Sequence, residues 1–119
     1  PHRLFFFPKV RPLDSIEATL QQWSCRGRVL MLVYPPPDSD MAFEALRVYT
    51  ETCPQNDTVV YVGEGRRGTN ANDAFFDYLE STDWILWKIM PVTVFGDKGY
   101  EKLFVFKRLD SSEDSNVPR

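Results

Sequence analysis

The sequence predicts an α/β fold in which strands alternate with helices around a mostly parallel sheet. The apolar segments Val29–Tyr34 and Thr58–Val62 lack polar alternation, which is typical of strands covered on both faces. Each of these strands is followed by a segment whose apolar residues have helical spacing. The sequence therefore predicts two consecutive βα units. The segments Trp84–Val94 and Lys102–Arg108 are then separated only by a short turn at Asp97–Gly99. The last strand must therefore run antiparallel and form a C-terminal hairpin, inserted among the parallel strands.

The composition is that of one globular domain. The chain has 119 residues, 43% of them apolar, and its 3 Trp, 5 Tyr and 9 Phe supply a core without disulfides or metal. We predict a single domain over residues 1–109 and a polar, disordered tail over residues 110–119. The net charge of −3 argues against a broad basic surface, so we expect no nucleic-acid partner.

Simple residue counts exclude several kinds of site. The longest apolar run, Val29–Tyr34, has six residues and is too short to span a bilayer, so we expect no membrane partner. The two cysteines form no disulfide framework and no signal peptide is recognised, which together favour an intracellular, reducing compartment. Cys25 and Cys53 lie 28 positions apart without metal-ligand spacing, so we predict no metal site. The one histidine is His2, and a catalytic mechanism that needs an internal histidine base has no candidate.

Two short elements are predicted before the first long strand. Leu4–Phe7 is a compact apolar run that favours a short strand. Asp14 or Ser15 can cap a helix over about Ile16–Trp23, because a short polar side chain accepts from the free N–H groups of the first turn. The apolar face of this helix would carry Ile16, Leu20 and Trp23.

Each long strand is followed by a helix with its own cap. Asp38 or Ser39 can cap a helix over about Asp40–Thr52. Its apolar stripe, which should face the core, consists of Met41, Ala42, Ala45, Leu46 and Tyr49. Asn70 or Asn72 can cap the next helix, whose core-facing residues are Phe75, Phe76 and Leu79.

The first candidate site is the proline motif Tyr34-Pro35-Pro36-Pro37 at the end of a strand. Proline fixes φ and holds carbonyl groups outward, and α/β sheets place ligands at the carboxyl ends of their strands. The alternative is structural, because proline also ends a strand and leads into a helix. The sequence leaves both interpretations open.

The second candidate is a glycine-rich loop, Gly63-x-Gly65-x-x-Gly68, between a strand and a helix. This spacing matches a dinucleotide fingerprint, but the acidic residue that should end the following strand is missing, since Asp83 precedes that strand. We therefore favour a surface loop over a pyrophosphate cradle. Within the loop, Glu64 could accept a proton or bind an amine, and Arg66 could hold a carboxylate or phosphate; the alternative is a solvated charged loop.

The closing arrangement of two βα units and a hairpin resembles the C-terminal half of a class I S-adenosylmethionine-dependent methyltransferase domain. The segment Leu32–Pro37 lies where that superfamily carries its Asn-Pro-Pro-Tyr type motif, at the end of the fourth strand. The segment Val59–Gly65, followed by Asn72–Asp77, resembles the fifth-strand region of a methyltransferase-like family with a Tyr-Pro-Pro-Pro motif. The likeness covers about Val29–Arg108 and implies the second half of a Rossmann-like fold.

This resemblance implies a function and a division of labour between residues. S-adenosylmethionine would be the cofactor of the complete domain, Tyr34, Pro35 and Pro36 would border the methyl-transfer site, and Gly63, Glu64, Gly65 and Arg66 would line the substrate side. The cofactor-binding glycine loop and the ribose-binding acid of the family do not lie upstream of Val29. We therefore expect the chain alone to bind no cofactor and to be inactive, and no catalytic residue is assigned.

Two other functions remain open. The chain could be a non-catalytic α/β interaction module, because a fold does not carry its function with it. It could also, with less support, be a nucleotide-binding domain that uses Gly63–Gly68. As partner we expect either the upstream half of its own domain or a second copy, paired through the edge of Val29–Tyr34.

Overall fold

The computed structural model describes residues 15–92 and 100–109, which form one mixed four-stranded sheet with helices. The strands are β1 (Leu30–Val33), β2 (Thr58–Gly63), β3 (Trp84–Pro91) and β4 (Lys102–Arg108). The helices are α1 (Ile16–Leu20), α2 (Met41–Thr52) and α3 (Asp73–Ser81), with a short 3₁₀ turn at Trp23–Cys25. In the described part of the chain, no helix is long and apolar enough to cross a membrane.

The strand order is β1-β2-β4-β3. The pair β1/β2 is parallel, and β4 is antiparallel to both of its neighbours, β2 and β3. The insertion of an antiparallel last strand between two strands of common direction is therefore confirmed. Only one of the three neighbouring pairs is parallel, however, so the sheet is mixed rather than mostly parallel. The reason is that β4 separates β2 from β3 and converts one potential parallel pair into two antiparallel ones.

Side-chain caps begin α1 and α3 as the sequence predicts. Ser15 Oγ accepts from the N–H of Ala18 at 3.0 Å, and Asn72 Oδ1 accepts from the N–H of Phe75 at 3.2 Å. In front of α2, Ser39 Oγ accepts from the N–H of Met41 at 3.1 Å. Two candidate cap residues are predicted for each helix, and Ser15, Ser39 and Asn72 are the ones that make these bonds.

One face of the sheet packs against the helices. Leu32, Val59 and Tyr61 point into a core shared with α2 and α3. The predicted helix stripes supply this core; its fully or nearly buried helix residues are Ala42, Ala45, Leu46, Tyr49, Phe75 and Leu79. On the strand positions between these, Met31 and Val33 of β1 point to the opposite face and are 59% and 52% exposed. The expectation that this strand is covered on both faces is therefore wrong for β1, because among the described residues only the face that carries Leu32 packs against the helices.

The expectation for Trp23 is wrong. The helix that should carry it ends at Leu20, and Trp23 begins the 3₁₀ turn instead. Its indole is 81% exposed and lies under the guanidinium of Arg26, 4.2 Å from the ring centroid. Because the helix is only five residues long, Trp23 has left the face that Ile16 and Leu20 present to the core.

Three predicted features lie outside the described residues. They are the strand at Leu4–Phe7, the hairpin turn at Asp97–Gly99 and the tail at residues 110–119. The third strand is described as far as Pro91, and a register irregularity between Leu86 and Lys88 marks a bulge in its pairing with β4.

Candidate functional site

The candidate site is the edge of the sheet where β1 and β2 end. The N–H of Tyr34 donates to the carbonyl of Val62 at 2.8 Å, which extends the parallel ladder one residue beyond β1. The proline motif and the glycine-rich loop therefore leave the sheet at the same edge. This confirms the prediction that both follow the carboxyl ends of parallel neighbours.

Three non-glycine residues at this edge have left-handed backbones. Tyr34 has φ of 50°, Arg67 has φ of 67° and Ala71 has φ of 59°. Pro35 is fully buried, and its carbonyl accepts from the N–H of Ala71 at 2.9 Å. Such conformations are costly for residues with a Cβ and are found most often where the surrounding structure fixes them, commonly at functional sites. The motif thus ends β1, anchors the next loop and leaves the ring of Tyr34 half exposed.

The buried side chain of Tyr61 supports the loop that runs between Glu64 and Asn72. Its buried hydroxyl donates to the carbonyl of Glu64 and lies 3.3 Å from the carbonyl of Asn70. Burial, and secondly the nearby charge of Glu64, raise the pKa of Tyr61 far above its ordinary value, so the hydroxyl stays a proton donor. Asn70, also buried, accepts with Oδ1 from the N–H of Glu64 at 3.1 Å. The loop is therefore held at both ends by side chains rather than by solvent.

The interpretation of Glu64 as a side chain that accepts a proton or binds an amine finds no support in its surroundings. Glu64 is only 8% exposed, and its carboxylate accepts from the N–H of Thr69 at 2.8 Å. The loop curls back on itself and uses this carboxylate to close its own turn. Glu64 is consequently a structural residue of the loop and does not offer its carboxylate to an amine beside Tyr34.

Arg66 binds within the protein. Its guanidinium pairs with Asp77 at 2.9 Å, Glu80 at 3.1 Å and Asp73 at 3.5 Å, all on α3. Hydrogen bonding to Glu80, followed by that to Asp77, raises the pKa of Arg66 above its ordinary value. These exposed pairs contribute little stability individually, but together they fix the loop against α3. With three carboxylates around it, Arg66 is a poor site for a carboxylate or phosphate ligand.

The glycine spacing does not form a pyrophosphate cradle. In such a cradle the glycine-rich turn opens directly into a helix, whose first N–H groups meet the phosphate. Here α3 begins only at Asp73, well beyond Gly68, and its first turn carries the acidic side chain of Asp73. A carboxylate at that position repels an anion. This geometry gives no support to a nucleotide-binding loop at Gly63–Gly68.

A contact that sequence reasoning missed joins the two helix starts. Asn72 Nδ2 donates to Asp40 Oδ1 at 2.7 Å, in addition to its capping of α3. Two asparagines in series before α3, Asn70 and Asn72, were visible as alternative caps, but the structure uses both, one for the loop and one for the helix. The edge therefore presents the exposed ring of Tyr34 and the exposed carboxylate of Asp40 on a fixed framework.

The chemistry available at this edge is positioning and binding. Across residues 15–92 and 100–109, no group of three or more His, Cys, Asp or Glu side chains could hold a metal ion. Gly65 and Arg66 line a cavity on the helix-bearing side, whereas Tyr34, Pro35 and Pro36 lie at the β1 end and outside its lining. The predicted site residues are thus gathered at one edge but divided between two places on it.

Comparison of the chain with protein-family models, with curated proteins and with solved structures finds no match.

Proposed function

We propose that this chain is the substrate-side half of a class I S-adenosylmethionine-dependent methyltransferase-like domain. The observation that carries the proposal is the strand order β1-β2-β4-β3, with the antiparallel last strand inserted beside β2. Such a half-sheet, entered by two βα units and closed by a hairpin, is what the resemblance of Val29–Arg108 implies. The shared edge of the Tyr34–Pro37 and Gly63–Gly68 loops supports it further, because ligands of open α/β sheets bind there.

The residues of this chain would act by positioning. Methyl transfer needs a nucleophile aligned with the methyl group more than it needs an acid or a base, so a rigid edge is a sufficient contribution. Pro35, buried and bonded to Ala71, fixes the backbone beside the exposed ring of Tyr34. Glu64, bonded within its loop, keeps Gly63–Arg66 in one conformation on the substrate side.

The chain alone does not fit the cofactor. The resemblance calls for an open glycine-rich loop after a first strand, together with an acidic residue after a second one. The glycine-rich loop of this chain is filled by its own Glu64, whose carboxylate lies where a side chain at Gly68 would be. S-adenosylmethionine, which would supply the methyl group, would be held by the other half of the complete domain.

We predict that calorimetric titration of the 119-residue chain with S-adenosylmethionine shows no binding. The chain preceded by its natural upstream sequence should bind in the micromolar range, where cofactor affinities commonly fall. Micromolar binding by the short chain, lost on changing Gly63 or Gly65, would contradict the proposal and favour the nucleotide-type loop. Failure of the longer chain to bind would favour the non-catalytic interaction module, for which the exposed apolar residues Met31 and Val33 provide a surface.

The edge of β1 leads to a second prediction. In the described sheet β1 has β2 on one side only, and its residues Met31 and Val33 are more than half exposed. An apolar edge strand pairs readily with another chain. We therefore expect the 119-residue chain to self-associate through β1, as a concentration-dependent increase in sedimentation coefficient. Met31→Lys, which places a charge on this strand, should shift the equilibrium toward monomer, whereas a monomer at all concentrations would contradict an unpaired edge.

A further inference from the structure

A cavity of about 330 Å³ lies between α3 and the strands β2, β4 and β3. Its walls are mostly apolar, and half of its lining residues are aromatic: Tyr61, Phe76, Trp84, Phe104 and Phe106. Phe104 and Phe106 stack in parallel with centroids 6.3 Å apart, and Tyr61 contacts both Phe76 and Phe104. Aromatic rings present a negative face, and a cavity walled by them favours a cation or an apolar group over an anion.

The charged side chains in and beside the wall of this cavity carry excess negative charge, with Asp73 and Asp77 outside the lining itself. Arg66 and Glu80 line the cavity, and the three carboxylates around Arg66 belong to Asp73, Asp77 and Glu80. These four groups have a combined formal charge of −2, and the carboxylate side chains are 65%, 67% and 71% exposed. A single guanidinium therefore leaves acceptor oxygens that solvent or a ligand must satisfy.

The end of α3 adds to this potential. Basic side chains are favourable in the last turn of a helix because they complement its partial negative charge. The last turn of α3 contains no basic residue and instead carries Glu80, which lines the cavity. The helix end and the carboxylates therefore attract a positive charge to the same place, and this attraction arises independently of the aromatic walls.

The position of Arg66 shows how a cation is bound beside this cavity. Its guanidinium carbon lies 5.6 Å from the centroid of the Phe76 ring while its nitrogens bond to Asp77 and Glu80. This is a cation held at once by a ring face and by carboxylates. The remaining volume beyond Arg66 is bounded by apolar walls, which suit the methylene stem of a second such cation.

From these features we infer that the cavity binds an organic cation with an apolar stem, an alkylguanidinium or alkylammonium. The charged end lies among Asp77, Glu80 and the Phe76 ring, in competition with Arg66, and the stem lies against Phe104 and Phe106. A free metabolite and an arginine or lysine side chain of a partner share this chemistry. The site does not depend on the proposed methyl-transfer function, since it uses neither Tyr34 nor the proline motif.

The experiment is a nuclear magnetic resonance titration of the 119-residue chain with n-butylguanidinium and, separately, with its neutral analogue n-butylurea. We expect the cation to shift the amides of Gly65 and Phe76 and the indole N–H of Trp84 within about 20 mM, because a small ligand with one charged contact reaches only millimolar affinity. The indole N–H is a good probe because it is fixed by a bond to Thr50 Oγ1 at 3.1 Å. The urea should shift these signals much less.

Three variants test whether the charges around the cavity control the binding of the cation. Arg66→Gln removes the internal competitor and should tighten binding of n-butylguanidinium about fivefold, a change within the range of one cation–π or exposed ion-pair contact. Glu80→Gln should weaken binding by a similar factor. Arg67→Gln is the matched control, because Arg67 is on the same loop but does not line the cavity, and it should leave affinity unchanged.

Each outcome of the titration decides something. Equal shifts with n-butylurea, or weaker binding in Arg66→Gln, would overturn the cation site. The absence of shifts with both n-butylguanidinium and a short arginine-containing peptide would also overturn it. Binding of n-butylguanidinium supports a free cation as the natural ligand. If only a short arginine-containing peptide bound, and an otherwise identical citrulline peptide did not, the same chemistry would be assigned to a partner protein's side chain.

Discussion

Replacement of Phe75 by alanine should lower the free energy of unfolding by about 3–5 kcal/mol. Phe75 is fully buried, and its ring packs against Tyr61 at 5.2 Å and Phe76 at 5.1 Å between centroids. It is one of the residues through which α3 packs on the sheet, together with Phe76 and Leu79. Truncation would remove apolar contacts and leave a cavity that the neighbouring strands cannot fill. Urea denaturation, followed by far-ultraviolet circular dichroism, measures the loss as a lower midpoint with little change in slope.

A loss of this size is a large share of the stability of a small domain, which is typically about 5–15 kcal/mol in total. The control is Tyr100→Ala, since Tyr100 is 70% exposed and its truncation should cost no more than about 0.5 kcal/mol. Equal losses in the two variants would mean that α3 does not pack on the sheet as described. Complete unfolding of Phe75→Ala at zero denaturant would agree with the prediction, and Phe75→Leu would then provide a measurable intermediate.

The sheet illustrates which parts of a fold local sequence determines. Continuous apolar runs and cap residues are local, and they located Val29–Tyr34, Thr58–Val62 and both long helices correctly. The short connection between the last two strands required β4 to be antiparallel, and together with the handedness of crossovers it favoured insertion of β4 among the parallel strands. The balance of parallel and antiparallel pairs is a property of strand neighbours, which are set over the whole chain, and for this reason the expectation of a mostly parallel sheet was not met.

The candidate site was predictable in position but not in detail. That two loops share an edge follows from the direction of two strands, and the bond from Tyr34 to Val62 confirms it. The burial of Glu64 depends on how a nine-residue loop folds onto Asn70 and Tyr61, which no local pattern encodes. The attachment of Arg66 to Asp77 and Glu80 is likewise a contact between a loop and a distant helix turn, invisible to helical or strand periodicity. From the sequence alone, a charged loop residue is expected to face solvent, because its partner on a distant element cannot be identified.

Replacement of Gly63 by alanine should cost about 2–4 kcal/mol, combining an unfavourable backbone with overpacking. Gly63 ends β2 with φ of 158°, which residues with a side chain rarely adopt. A Cβ there would lie 2.9 Å from both Asn70 Oδ1 and the hydroxyl oxygen of Tyr61. Neither group can move away freely, because each is bonded to the Glu64 end of the loop. The variant should therefore also speed hydrogen exchange at the N–H of Glu64, because this N–H donates a hydrogen bond to Asn70 Oδ1.

Gly65→Ala is the matched control, two residues along the same loop. A Cβ at Gly65 would meet no atom within 4 Å, so this substitution should change stability by no more than about 0.5 kcal/mol and leave exchange at Glu64 unaltered. The pair separates two explanations of the glycine spacing. If the glycines served only flexibility, the two variants would behave alike. If Gly63 is required because Tyr61 and Asn70 occupy the space of its side chain, only Gly63→Ala will loosen the loop, and the spacing between Gly63 and Gly68 then reflects close packing rather than a phosphate site.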